Sequence, residues 1–183
     1  LNPATESSYT LYDLNPSSGS PTFPWGRNNY PDRTDCGATS CTLAQERQNF
    51  ANWYQYHRSR LLAAQAGVPE AFQSFNDRIR VGWGDIKQGT SVVDGVNTAV
   101  VSQGVRDFST SHKTALFKWM REMDVSGGTP LRQAMYGVGQ YFERTDNRGP
   151  WGDNPGNASS GPHKTCRRAY NVFVTDGYWN DSS

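Results

Sequence analysis

The feature that most constrains the fold is an apolar repeat of helical period that begins just after Thr42. Its members are spaced three and four residues apart: Phe50, Trp53, Tyr54, His57, Leu61 and Ala64. This spacing is typical of an amphipathic helix. Thr42 followed by Gln45 predicts a capping box at its start, and Gly67 with Pro69 predicts its end. A short second helix is expected over residues 70–76.

Residues 1–41 lack such a period. They are rich in Ser, Asn and Gly and carry five prolines: Pro3, Pro16, Pro21, Pro24 and Pro31. Prolines at this density interrupt both helices and strands. The pattern predicts a coil segment over 1–41 and a folded domain over 42–183.

Segments of strand and helix period alternate further along the chain. Residues 78–84 and 105–108 alternate polar and apolar side chains, and Tyr170–Thr175 is apolar and β-branched, as strands are. Helices are predicted from a cap at 109–111 and over Leu131–Phe142. This order favours an α/β layer fold.

In that fold, strands near Arg80–Trp83 and Tyr170–Thr175 are expected in one sheet. The helices that start at Thr42 and Leu131 would pack against it. Residues 144–165 are rich in Asp, Asn, Gly and Pro and predict a long coil insertion.

Composition excludes several classes of protein. Leu, Ile, Val and Phe make up only 30 of the 183 residues, which predicts a small core and a large share of loop. With 18 basic and 17 acidic residues the net charge is +1, whereas nucleic-acid binding requires a basic excess. No apolar run approaches the ~18 residues of a membrane span.

The cysteines offer two interpretations. Cys36 and Cys41 lie five residues apart in a flexible loop and can close a small disulfide, which would indicate an oxidising compartment. The alternative is that they are reduced thiols. In the first case Cys166 is unpaired or bonds a cysteine outside this sequence. No CxxC motif or paired histidine favours a metal at these cysteines.

Two loops carry groups suited to a metal ion. Ser126–Pro130 presents the Thr129 hydroxyl at a helix start, and Thr175–Gly177 presents the Asp176 carboxylate at a strand end. Loops at the carboxyl ends of strands are the usual ligand sites of open α/β sheets. A hydroxyl and a carboxylate there suit Mg²⁺, Mn²⁺ or Ca²⁺. The alternative is that Thr129 caps a helix and Asp176 caps a turn.

Four longer strings occur in a fixed order: FANWYQYHRSRLLAA from Phe50, RVGWG from Arg80, SGGTPLR from Ser126 and CRRAYNVFVTDGYWND from Cys166. Together, over residues 36–181, they resemble the von Willebrand factor A-like part of the PilY-type tip adhesins and biogenesis factors of bacterial type IV pili. The resemblance implies a Rossmann-like sheet flanked by helices. It also implies a metal-ion-dependent adhesion site in which Thr129 supplies the second loop and Asp176 the third.

The chain departs from that family in its first metal-binding motif. The family places Asp-x-Ser-x-Ser after an apolar strand, whereas Ser17–Ser20 follows no strand and lacks the aspartate. We therefore expect an incomplete A-like domain. Its first strand and loop would lie upstream of this sequence, and its later strands and a β-propeller downstream. Alone, this chain would bind metal weakly or not at all.

The function implied by the resemblance is surface adhesion and pilus assembly at the pilus tip, reached through the periplasm and outer membrane. The partners would be pilin subunits and a host or abiotic surface ligand, and the chain would not be an enzyme. One alternative is a structural pilus-tip module without metal. Another is a metal-dependent hydrolase, which the absence of a recognisable general base and nucleophile elbow disfavours.

Several other side chains have plainer interpretations. His57 is predicted to be a core or interface residue, and Arg167 with Arg168 a solvated strand entry. Six tryptophans divide into a predicted core group, Trp53, Trp83 and Trp119, and a loop group, Trp25, Trp151 and Trp179.

Overall fold

The computed structural model of the chain describes residues 12–17, 19, 21–87, 89–124, 127–159, 161, 163–164 and 166–175. The described elements are, in chain order, β1 Thr22–Phe23, β2 Cys41–Thr42, α1 Leu43–His57, α2 Arg60–Phe72, β3 Arg80–Gly84, β4 Thr90–Val93, β5 Val96–Ala99, β6 Val101–Asp107, α3 Thr110–Glu122 and α4 Leu131–Phe142. The chain divides into two compact units, Leu1–Ala63 and Ala64–Ser183.

The first unit is built around a small buried cluster. Strands β1 and β2 pair antiparallel with Phe23 opposite Cys41. Phe23, Cys36 and Cys41 are buried together. Cys36 and Cys41 form a disulfide, which confirms the predicted pairing over the reduced alternative. Three half-buried side chains cover this cluster: Leu14, Trp25 and Leu43.

Helix α1 begins as predicted. The Thr42 hydroxyl accepts the Gln45 amide N–H, and the Gln45 side chain accepts the Thr42 amide N–H at 2.8 Å. Glu46 is buried and ion-paired with Arg33 at 2.7 Å. These contacts fix the first turn of α1 to its unit.

The rest of α1 differs from the prediction. Every side chain from residue 47 to residue 57 is exposed, and Trp53 retains 48% of its accessible surface. Trp53 and His57 are therefore not core residues in the described structure. The reason is that the described part of this unit meets α1 near its start, through Leu43, Glu46 and Arg47.

The predicted end of the first helix is also wrong. Gly67 and Pro69 lie inside α2, and the break falls earlier, where the Ser59 hydroxyl accepts the Leu62 amide N–H at 3.2 Å. A serine cap starts a new helix there. The helix expected over 70–76 is the last turn of α2, which ends at Phe72.

The core of the second unit lies under the β3–β6 pair. These strands run antiparallel, with Arg80 opposite Asp107, so the predicted strand over 105–108 is largely the end of a longer one. Ile79, Val81 and Trp83 pack on a buried cluster formed by three residues in and beside α3: Phe108, Leu116 and Met120. The α3 cap is the Ser109 hydroxyl, which accepts the His112 amide N–H, as predicted.

A hairpin and α4 complete this unit. Strands β4 and β5 are joined by Asp94 and Gly95, whose φ angles are 54° and 81°; positive φ at both positions is the signature of a type I′ turn. The Asp94 carboxylate pairs with the Arg106 guanidinium. Tyr141 of α4 is buried, and its hydroxyl accepts the Val105 amide N–H at 2.8 Å. Helix α4 is thereby held against β6.

The predicted strand at Tyr170–Thr175 is not formed. The segment has no strand pairing among the described residues, and Tyr170, Val172 and Val174 are 78, 74 and 59% exposed. It therefore shares no sheet with Arg80–Trp83. An alternating pattern marks residues able to form a strand, but a strand exists only when a partner edge accepts its hydrogen bonds.

The described elements combine four helices with three two-stranded antiparallel sheets, so the fold is a mixed α/β arrangement with long coil segments. The Rossmann-like sheet remains a prediction. Among the described residues, no helix has both the length and the apolarity of a membrane span.

Candidate functional site

Thr129 lies immediately before α4. It is half-buried, and its carbonyl accepts the Leu131 amide N–H at 2.8 Å. Pro130 occupies the N-cap position and has no side-chain cap hydrogen bond, and whether Thr129 serves as a cap or as a metal ligand stays a prediction. Gly127 has a φ of +86°, a conformation that favours glycine over any residue with a Cβ. The loop is thus bent sharply just before the threonine.

Asp176 and Ser126 lie outside the described residues. The distance between Thr129 and Asp176 is therefore untested, and their meeting at one rim stays a prediction. Thr175, the residue before the aspartate, is described and exposed.

An acid-rimmed cavity of about 240 Å³ lies at the end of α3, which precedes the Thr129 loop in the chain. Three carboxylates and two apolar side chains line it: Asp85, Trp119, Glu122, Met123 and Asp124. Trp119 also packs on the core, as predicted. The carboxylates do not converge closely enough to act as one ligand set.

One group of three potential metal ligands does converge within the described part of the chain. Ligand atoms of Cys36, Cys41 and Glu46 lie within 4.8 Å of one another. Both sulfurs are in the disulfide, and the Glu46 carboxylate is held by Arg33. A cysteine binds a metal as the thiolate, and neither sulfur is a thiolate while the disulfide is formed, so this group is structural.

The two adjacent arginines differ in their surroundings. Arg168 is exposed, as predicted, whereas Arg167 is half-buried and lines a second cavity together with Trp151. Their local sequence carries no signal of this difference. The Cys166 thiol is free and exposed. It does not pair with Cys36 or Cys41, which bond to each other as expected.

His112 is an ionisable group that packs against the core of the second unit, in contact with the Trp83 and Phe108 rings. Its Nε2 lies 2.8 Å from the Val81 carbonyl oxygen, and its ring centroid lies 4.7 Å from that of Trp83. Burial lowers its pKa, the hydrogen bond to the Val81 carbonyl opposes this shift, and the positive charge of Arg106 adds to it. The site therefore favours the neutral imidazole more than water does.

Stability should therefore fall as the solution becomes acidic. With its folded-state pKa below the ordinary value of 6.5, His112 contributes stability that is present above 6.5 and is lost as pH falls through the folded-state pKa. Urea denaturation at about pH 7.5 and about pH 5 should show this loss. His112→Gln should reduce the pH dependence, while His57→Gln, at an exposed position, should retain it. An unchanged pH dependence in His112→Gln would contradict the assignment.

The chain is similar in sequence to type IV pilus biogenesis factors. It is 33% identical over 187 aligned residues to the type IV pilus biogenesis factor PilY1 of Pseudomonas aeruginosa strain PAK, covering 98% of this chain and 15% of that protein. It is 37% identical over 151 residues to PilY1 of strain PAO1, covering 81% and 13%. The PilY1 of strain UCBPP-PA14 is 27% identical over 169 residues, covering 92% and 13%.

The chain thus spans about one-seventh of the length of the curated relatives it matches. No protein-family model matches it. No solved structure matches it significantly.

Proposed function

We propose that this chain is part of a module that acts in type IV pilus biogenesis and in adhesion at the pilus tip on the bacterial surface. The observation that carries the proposal is the similarity to PilY1 proteins over 81–98% of the chain. Pilin subunits and a host or abiotic surface ligand are the partners this role implies. A purely structural tip module is the competing candidate, and a metal-dependent hydrolase is a weaker one.

We further propose that the module is a von Willebrand A-like domain completed by chain outside this sequence. Two features support it. Tyr170–Thr175 is an exposed apolar segment of strand period, and β3 pairs only with β6 among the described strands. Both could accept a further strand, because unpaired backbone groups at a sheet edge are templates for pairing. Such a strand would also bring further apolar residues to the exposed segment.

The proposed metal site combines Thr129, Asp176 and first-loop serines supplied by the completed domain. A divalent cation held by these oxygens would keep one coordination position for an acidic group of the partner. The bent loop at Gly127 and the position of Thr129 at the start of α4 support the second-loop role. The cation would be Mg²⁺, Mn²⁺ or Ca²⁺, all of which prefer oxygen ligands.

Adhesion of the full-length protein tests this site. Asp176→Ala should remove a charged metal ligand. The metal affinity should therefore fall by more than the roughly 10–100-fold that is lost when a residue hydrogen-bonded to a metal ligand is mutated. Adhesion should then become insensitive to a chelator. Thr129→Ala should have a smaller effect, since water can replace one neutral oxygen. Asp124→Ala is a matched control that removes an exposed carboxylate from the same unit.

The outcomes separate the candidates. If wild-type adhesion ignores the chelator and Asp176→Ala adheres normally, the metal site is wrong and the structural module is favoured. If Asp124→Ala loses as much adhesion as Asp176→Ala, the effect is one of net charge. Metal-dependent turnover of ester or phosphate substrates would instead favour the hydrolase.

A further inference from the structure

A second cavity, of about 270 Å³, lies in the unit Ala64–Ser183 where the coil after α4 folds back on the helix. Its lining combines aromatic and charged groups: Phe142, Glu143, Arg144, Thr145, Trp151, His163 and Arg167. The Trp151 indole N–H donates to the Phe142 carbonyl at 2.6 Å, and the two ring centroids lie 5.6 Å apart. These contacts build an aromatic wall.

The two arginines of the cavity differ in their hydrogen bonding. The Arg144 guanidinium donates to the Asp146 carboxylate and to the Val93 and Asp94 carbonyls. Its N–H groups are therefore engaged in hydrogen bonds within the protein. Arg167 is half-buried, and no ion pair or hydrogen bond joins it to another described residue, although its charge acts on the Asp153 carboxylate. A partly desolvated guanidinium whose N–H groups are not engaged within the described structure is suited to binding an anion.

His163 supplies an independent observation. Its Nε2 is buried and has no hydrogen-bond partner in the described structure, although buried side-chain polar atoms nearly always have one. The Lys164 amide N–H donates to the Trp151 carbonyl at 3.0 Å, which holds this stretch of coil against the aromatic wall. A ligand oxygen in the cavity would give the imidazole a partner.

We propose that this cavity binds a carboxylate borne on a small apolar body. The planar Arg167 fork matches two carboxylate oxygens, His163 donates a further hydrogen bond, and Phe142 with Trp151 packs on the carbon part. The volume lies just below the usual range of about 300–1,000 Å³ for ligand sites, which excludes nucleotides. The exposed Glu143 carboxylate at the rim disfavours a dianion such as phosphate.

The same chemistry has two sources, a free carboxylic acid or the acidic side chain of a partner protein. Benzoate represents the first, and the blocked dipeptide N-acetyl-Glu-Leu-amide represents the second. The readout is the imidazole resonance of His163 in NMR spectra of the whole chain, which contains only three histidines. A saturable shift with a Kd of the order of 1 mM is expected for at least one probe.

Matched variants locate the binding. Arg167→Gln should weaken it by about tenfold or more, and Arg168→Gln, the same change at the exposed neighbour, should leave it unchanged. His163→Gln, followed through Trp151 resonances, should weaken it less, since an amide still donates. Unchanged thermal unfolding of each variant shows that the cavity persists.

Either probe binding with this pattern supports the site, and the dipeptide binding points to a protein partner. Three results overturn the proposal. They are no saturable shift with either probe, equal weakening by Arg168→Gln, or inorganic phosphate binding as tightly as the carboxylates.

Discussion

Replacing Phe108 by alanine is expected to lower the free energy of unfolding of the second unit by about 3–5 kcal/mol. The side chain is 1% exposed and packs with Leu116 and Met120. Its ring centroid lies 6.0 Å from that of Phe72. Truncation therefore removes apolar burial and leaves a cavity that these neighbours close only in part. Urea denaturation followed by tryptophan fluorescence measures the change.

Phe75→Ala is the matched control for this prediction. Phe75 belongs to the same unit and also contacts the Phe72 ring, at 5.6 Å between centroids, but it is 45% exposed. Its loss should cost about 1 kcal/mol or less. If the two variants lost the same free energy of unfolding, the cluster of Phe108, Leu116 and Met120 would not be the core of this unit.

The local parts of the fold were predictable from local chemistry. Thr42 with Gln45, Ser109 and the apolar spacing of α4 each act within one helical turn, and each matches the structure. Asp94–Gly95 between two valines was an equally local hairpin signal. No hairpin was predicted over that stretch.

The failures have a different physical origin. Gly67 and Pro69 predicted a helix end, but α2 continues through both residues, because Pro69 removes only one backbone hydrogen bond near the end of the helix. The break falls instead at Ser59, whose hydroxyl accepts the Leu62 amide N–H at the start of α2. For Tyr170–Thr175 the alternation described the residues correctly. Strand formation depends on a partner edge, which the segment itself does not encode.

The candidate sites divide in the same way. The disulfide followed from two cysteines close in sequence, and the position of Thr129 followed from the loop–helix boundary. The cavity at Arg167 and His163 arises because a coil folds back on α4, bringing together residues up to 25 positions apart. No pattern in the sequence marks that contact.

Removing the disulfide is expected to destabilise the first unit by about 2–4 kcal/mol. Closing the Cys36–Cys41 loop restricts the unfolded chain, and both cysteines are buried beside Phe23 in the only buried cluster described for this unit. Because the cluster is so small, few other contacts compensate for the loss. The Cys36→Ser and Cys41→Ser double variant should also bury two hydroxyl groups, so it should lose slightly more than the reduced wild type.

Hydrogen exchange at the Phe23 amide, which lies opposite Cys41 in the β1–β2 pair, reports the loss directly. Exchange should accelerate when wild type is treated with a reductant, and the reductant should have no effect on the double variant. Cys166→Ser is the control, since that thiol is free and exposed; it should exchange like wild type. Protection that survives reduction would show that the Arg33–Glu46 ion pair and the α1 capping box hold this unit together without the covalent link.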